Sequence, residues 1–235
     1  MISLARDVLK PVLELVYPTY CGGCGTQGDV LCKACLSSFR PVDGIASCPV
    51  CGRWTGTALV CGACATNPPM FERGCFGYLF EGPLREAIHA FKFRRRKDVG
   101  RALVRTLEEW IASMAADFDV IVPLPVTEKR LSSRGFNQSF IVSEEISRIT
   151  GQPIDYRTLR KTRETLDQYT LPREERKRNV VRAFSIEGGN GALRDKRALL
   201  VDDLYTTGNT AREASKTLSR AKTKAILFFA LARTP

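Results

Sequence analysis

The densest chemistry in this chain lies between Leu199 and Ala214, LLVDDLYTTGNTAREA. An apolar run ends at Val201, two acids follow at Asp202 and Asp203, and Thr206, Thr207, Gly208, Asn209 and Thr210 lead into a helical pattern. Ligands of open α/β sheets bind at the carboxyl ends of the strands. There a Thr/Gly turn can aim backbone N–H groups and hydroxyls at a single phosphate, reinforced by the helix amino end. Two adjacent carboxylates before such a turn are costly unless ribose hydroxyls, a Mg2+ ion or a basic side chain satisfies them. Gly-Lys-Ser/Thr is missing, so this is not a Walker A loop, and it is not Gly-x-Gly-x-x-Gly either.

Sulfur is the second concentration. Eight of nine Cys fall within residues 21–64 as four Cys-x-x-Cys pairs: Cys21/Cys24, Cys32/Cys35, Cys48/Cys51 and Cys61/Cys64. Two of them, CGGCG and CPVCG, read as zinc knuckles, in which a tight turn presents two thiolates and Gly permits the left-handed backbone. Disulfides or a redox Cys-x-x-Cys are the plainer alternatives, but four pairs in so short a stretch favour zinc. The arithmetic gives two four-cysteine sites, 21–35 and 48–64 in series. A cross-braced arrangement, with the first pair joined to the third, is left open by the spacing. Four thiolates leave no open position for water, so both zincs are expected to be structural, supplying folding energy to a segment too short for its own core. Cys75 stands apart in an apolar run and is expected to be a buried thiol.

Elements able to position these groups follow from periodicity. CFGYLF (75–80) reads as a strand, and GPLREAIHAFKF (82–93) as a helix with Leu84, Ile88 and Phe91 on one face. A second helix starts near Asp98 and carries Val99, Leu103, Leu107, Ile111 and Met114 inward. DVIVPLP (119–125) is a buried strand, 137–151 a helix ending at Gly151, RAFSI (182–186) a short strand, RALLVDD (197–203) a buried strand, 210–221 a helix and AILFFALA (225–232) a strand. Alternating strands and helices imply a parallel sheet covered on both faces. Residues 157–182 show no clear period and read as a long mobile loop. Residues 2–16 read as an amphipathic helix, since Asp7, Lys10 and Glu14 do not suit a signal peptide. Three units are expected: a helix at 1–17, the Cys-rich module at 18–70 and an α/β domain at 71–235.

Charge narrows the partners. The chain has 235 residues, 36 Lys+Arg, 25 Asp+Glu, one His and a net charge of +11. A single His, His89, excludes a His-rich metal site. No run of 18 apolar residues exists, so no membrane insertion is expected, and the cytoplasm is the expected compartment. The excess is local: residues 1–75 carry +1, residues 85–105 carry +6 and residues 157–182 carry +5. Such clusters suit a polyanion, either nucleic acid or a ligand with several phosphates. Lys92 and Arg94-Arg95-Arg96-Lys97, with Phe91 and Phe93 alongside, are the candidates for single-stranded DNA.

The Asp-Asp loop resembles the phosphoribosyl-pyrophosphate (PRPP) motif of type I phosphoribosyltransferases. Four Cys-x-x-Cys pairs, Lys92-Phe93, VPLP (122–125), Arg134-Gly135-Phe136-Asn137-Gln138 and VDDLYTTGNT together resemble the ComF family of competence-related proteins. That resemblance spans nearly the whole chain. It implies a double zinc ribbon joined to a type I phosphoribosyltransferase-like domain, with PRPP and Mg2+ as ligands and DNA uptake as the setting. Asp202 and Asp203 would contact the ribose hydroxyls and help order Mg2+, and residues 206–210 would hold the 5′-phosphate. Val126 and Thr127 take the place of the pyrophosphate loop, with Arg134 and Asn137 near the site. Residues 157–182 become a hood offering Arg160, Lys161, Arg163 and Arg176 to pyrophosphate. Thr206 stands where some purine phosphoribosyltransferases carry an acid, so no general base for a purine is visible and the acceptor is unidentified. The resemblance is compatible with a transferase, with a PRPP sensor and with an accessory protein that binds single-stranded DNA and partners DNA-uptake proteins.

Overall fold

A computed structural model describes residues 18–162, 183–187 and 191–235. The helix expected at 2–16 and most of the hood, including Arg163 and Arg176, lie outside the described residues. After the Cys-rich segment, with its short helices α1 (Lys33–Ser38) and α2 (Gly62–Thr66), the order is β1 (Arg73–Leu79), α3 (Gly82–Phe93), α4 (Lys97–Arg105), α5 (Glu108–Ser113), β2 (Val120–Pro123), α6 (Glu128–Arg134), α7 (Gln138–Thr150), β3 (Leu159–Lys161), β4 (Phe184–Ile186), β5 (Arg197–Tyr205), α8 (Asn209–Leu218) and β6 (Ala225–Arg233).

The main sheet has the order β1-β6-β5-β2 and is parallel throughout. β5 and β6 are central and flanked on both sides, which is why they read as unbroken apolar runs. One face buries Cys75, Ile121, Leu199, Val201 and Phe229 against α3, α4, α5 and α7. The other buries Phe76, Val122, Leu200, Phe228 and Ala230 against α8 and the small antiparallel β3–β4 pair.

The Cys-rich segment is divided between these two faces. Cys21 and Cys35 are buried in the first core, whereas Cys48, Cys51, Cys61 and Cys64 are buried in the second. The ribbons therefore flank one sheet from opposite sides, and residues 40–42 add backbone bonds to the β1 edge through Leu79 N–H to Arg40 and Val42 N–H to Gly77.

Capping fixes the helix ends. Thr127 and Asn137 cap the starts of α6 and α7, and Gly151 closes α7 in the left-handed conformation. The helix expected from Asp98 to Met114 is interrupted at Thr106 and Leu107. The Thr106 hydroxyl turns back onto the Leu103 carbonyl at 2.7 Å and accepts from the Tyr78 hydroxyl at 2.9 Å, competing with the backbone ladder. The start of the hood, expected to be loop, forms β3, a strand too short to show a period.

α3 and α4 meet at Gly100, where a Cβ would lie 2.4 Å from the Phe91 ring. Gly100→Ala should therefore destabilise the protein by about 1–3 kcal/mol, read as a lower urea midpoint at unchanged slope.

Candidate functional site

The carboxyl edge of the sheet gathers the site. Pro123 pairs with Val201, so the turn after β2 lies beside the carboxyl-terminal part of β5. The Leu124 amide donates to the Val201 carbonyl at 2.8 Å and fixes that turn.

Asp203 is 5% exposed, and its carboxylate lies 2.9 Å from the Lys92 ammonium, which is itself 8% exposed. Asp202 is half-buried; its Oδ1 accepts from the Ser139 hydroxyl at 3.0 Å and from the Asp203 amide at 2.9 Å. Burial, and then the negative charge of Asp203, push the Asp202 carboxyl up to about 6, against the pull of Lys92. The two acids thus differ in surroundings: Asp203 faces the Lys92 ammonium, while the Asp202 carboxyl is held above the usual carboxylate range.

Beyond the acids the backbone turns sharply. Gly208 takes a left-handed conformation, φ 76°, and caps α8. A Cβ there would sit 2.1 Å from the Tyr205 hydroxyl, so space as well as conformation demands glycine. The Thr207 hydroxyl is buried without a hydrogen-bond partner. An orphaned hydroxyl beside a helix start is what an anion would satisfy. Thr206, Asn209 and Thr210 are half-buried around it.

RGFNQ supports this edge from the side. The Asn137 amide donates to the Leu124 carbonyl at 3.0 Å while its oxygen caps α7. The Arg134 guanidinium lies over the Phe93 ring at 5.2 Å and donates to Gln138 at 3.2 Å; Phe136 packs on Phe91, with the Lys97 ammonium 5.0 Å away. Val126 and Thr127 stand at the turn after β2, where Thr127 caps α6 and is nearly buried.

Two placements differ from the sequence expectation. Lys92, grouped there with the DNA-facing run, is withdrawn into the site because a buried carboxylate claims its charge. Arg160, expected in the hood as a catalytic cation facing pyrophosphate, pairs with Glu187 at 2.8 Å and lines a cavity of about 690 Å³ with Val120 and Lys196, at the amino ends of β2 and β5, the opposite edge of the sheet. Lys161 lies over the Phe184 ring.

The basic run is also partly committed. Arg96 pairs with Asp98 and donates to the Tyr20 carbonyl, and Arg95 donates to the Ser133 carbonyl. Arg101, Arg105 and Arg148 surround the buried Glu145. Arg94, exposed, has no ion pair among the described residues, and Phe93 beside it is 56% exposed.

Each cysteine quartet brings four sulfurs within 4.8 Å of one another, Cys21/24/32/35 and Cys48/51/61/64, so the pairing is serial and not cross-braced. The closest sulfurs, Cys24–Cys32 and Cys51–Cys61, are both 3.6 Å apart. Tetrahedral zinc with Zn–S of about 2.3 Å separates its sulfurs by about 3.8 Å, so the donor sets fit. Backbone amides of Gly23 and Cys32 point at Cys21 Sγ, and that of Cys61 at Cys48 Sγ, as suits thiolates. Cys75 is 4% exposed and its thiol is pushed up by burial.

Ser139 and the role of Tyr205 escaped sequence reasoning. Only Asn137 signalled Ser139, since a capping residue puts the one two positions later in the first turn. Tyr205 reads as one more apolar residue, and its place against Gly208 is not encoded in spacing.

A double zinc ribbon packed onto a parallel α/β sheet, with an Asp-Asp turn at its carboxyl edge, is the class defined by these features. The double zinc ribbon domain model matches residues 12–65. DNA utilization protein YhgH of Escherichia coli (strain K12) is 33% identical over 210 residues, covering 87% of this chain and 90% of that protein. Competence protein ComFC of Bacillus subtilis is 25% identical over 243 residues, 99% of this chain and 92% of the relative. The chain belongs to this family of competence and DNA-utilization proteins, the ComF family. Among solved structures, purine phosphoribosyltransferase from Pyrococcus horikoshii aligns over 57% of this chain and 73% of its own, at 20% identity and a TM-score of 0.37. No helix among the described residues is long and apolar enough to cross a membrane.

Removing one partner of the Lys92–Asp203 pair strands a buried charge. Lys92→Met should cost about 3–5 kcal/mol, and Lys92→Met with Asp203→Leu much less, checked by a double-mutant cycle in urea. Metal analysis of the purified chain should return two zinc ions per molecule.

Proposed function

We propose that the carboxyl edge of the sheet binds a phosphorylated ribose, PRPP with Mg2+, and transfers its phosphoribosyl group to an acceptor. The observation that carries this reading is the succession of Asp202 and Asp203, the left-handed turn at Gly208 and the orphaned Thr207 hydroxyl at the start of α8. The 5′-phosphate would accept from the loop amides and from Thr207, and the ribose hydroxyls would donate to Asp202 and Asp203.

Each part then has a task. Lys92 holds Asp203 in place while neutralising it, which leaves Asp202 as the adjustable charge. Bound Mg2+ would neutralise the departing pyrophosphate. In the transfer, the C1–O bond breaks with its electrons leaving on pyrophosphate, and an acceptor lone pair forms the new bond to C1 and gives up its proton. Val126 and Thr127 flank the expected pyrophosphate position, and Arg134 adds positive charge nearby. The relatives' names, a DNA utilization protein and a competence protein, support a DNA-related setting for it. The cytoplasm is the compartment in which PRPP and reduced thiols would coexist.

A second reading, binding of single-stranded DNA, is favoured by one observation: exposed Phe93 lies under the Arg134 guanidinium, beside Arg94 and Arg95. Stacking platforms flanked by cations suit single strands.

Calorimetry tests the first reading. PRPP with Mg2+ should bind one site per chain, and Asp202→Asn with Asp203→Asn should weaken it at least tenfold. The Asp202 carboxyl sits at about 6 in the free protein and binds as a carboxylate. Affinity should therefore rise with pH and level off above 6, falling by about tenfold per pH unit well below it. Failure of PRPP to bind, together with salt-sensitive DNA binding lost in Phe93→Ala, would favour the second reading.

A further inference from the structure

The two cysteine quartets have the same composition but different neighbours. Among the described residues, the first quartet's surroundings are α3 and α4: Gly22 lies against Val99, Gly23 against Pro83, and Arg96 holds the Tyr20 carbonyl. The second quartet sits against the loop that follows β5.

Three contacts make that connection. The Arg212 guanidinium donates to the Asn67 carbonyl and lies 3.8 Å from Cys64 Sγ, while the Arg212 backbone amide donates to the Gly208 carbonyl at 2.9 Å. One residue thus grips the ribbon with its side chain and the turn with its backbone. Arg233 is 5% exposed, its Nε has no partner, and its Cδ lies 2.9 Å from where a Cβ on Gly52 would sit. Arg233 pairs in register with Tyr205, and the next residue, Thr234, donates its amide to the Tyr205 carbonyl at 2.9 Å. Tyr205, finally, stacks edge-on to Phe76 and Phe228 in the core shared with the quartet, and its hydroxyl fills the space beside Gly208.

The charges agree with the geometry. Zinc held by four thiolates carries a formal charge of about −2, and groups around the ligands tune and hold such a site. Arg212 on α8 and Arg233 at the end of β6, paired with Tyr205, bring two positive charges to the second quartet.

We propose that the second cysteine quartet is a positioning element for the 206–210 turn, with Arg212 and Arg233 as the link. Metal held by Cys48, Cys51, Cys61 and Cys64 keeps the turn in its left-handed shape at Gly208, and metal held by the first quartet does not. Loss of zinc from the second quartet therefore lowers affinity for the phosphorylated ligand. Only this last statement rests on the reading of the turn as a phosphate site; the link between metal and turn does not.

Amide hydrogen exchange on the full zinc-loaded chain tests the link. Arg212→Met, confirmed to hold two zincs, should exchange the 206–210 amides about tenfold faster than the parent and lose zinc from the second quartet to a chromophoric chelator about tenfold faster. Cys24→Ser, which disables the first quartet, should leave exchange in the turn unchanged. Unchanged exchange in Arg212→Met, or equal acceleration in Cys24→Ser, would overturn the proposal. Coupling is reciprocal, so PRPP with Mg2+ should slow zinc release from the second quartet alone. PRPP that binds the parent yet protects neither quartet would also overturn it. If PRPP does not bind the parent, the phosphate reading falls, and the exchange result still decides the link.

Discussion

Two neighbouring carboxylates at the end of a central, buried strand are the constraint around which this molecule is arranged. Asp202 and Asp203 interrupt the apolar run of β5 between Val201 and Leu204. Neighbours in sequence, they cannot move apart, so the fold supplies partners. α3 contributes Lys92 to Asp203, and the first turn of α7 contributes Ser139 to Asp202. The remaining imbalance appears as the raised titration of Asp202. A buried ion pair is weak evidence for stability, because desolvation consumes much of the attraction. Retaining two acids where an apolar pair would pack as well is a mark of a site.

The cysteine quartets set a second constraint. A sheet of four strands needs cover on both faces, and a segment of fewer than fifty residues provides part of both. It can do so because two thiolate clusters take the place of a core that the segment is too small to build. The ribbons are thus walls of the α/β unit, and the covalent order of the quartets, first then second, becomes a spatial order, one face then the other.

The sequence was most readable where a single rule governs a position. Cys-x-x-Cys spacing found all eight thiols of the quartets, and helical period found Leu84, Ile88, Phe91, Val99 and Leu103, all buried. The apolar run ending in two acids located the carboxyl edge. Less was readable where two distant segments decide together. Lys92 looks like one of five neighbouring cations, and only the approach of β5 separates it from Arg94. Arg160 lies in a basic stretch that suggests a clamp, yet its position on β3 and its pairing with Glu187 put it at the other edge. Serial against cross-braced pairing of the cysteines is a question of chain path, to which spacing is indifferent. The division of 85–105 between ion pairs with Glu145 and Asp98 and free surface required the neighbouring helix to be seen.

The central claim is that the acids and the turn act together on one ligand, the turn holding phosphate and the acids holding the sugar. A crystal structure of the zinc-loaded protein with PRPP and Mg2+ tests this most directly. The account predicts a phosphate within hydrogen-bond distance of the Thr207 hydroxyl and the amides around Gly208, with the ribose hydroxyls on Asp202 and Asp203. An empty turn, with the ligand held instead by Arg94 and Arg95 beside Phe93, would contradict it.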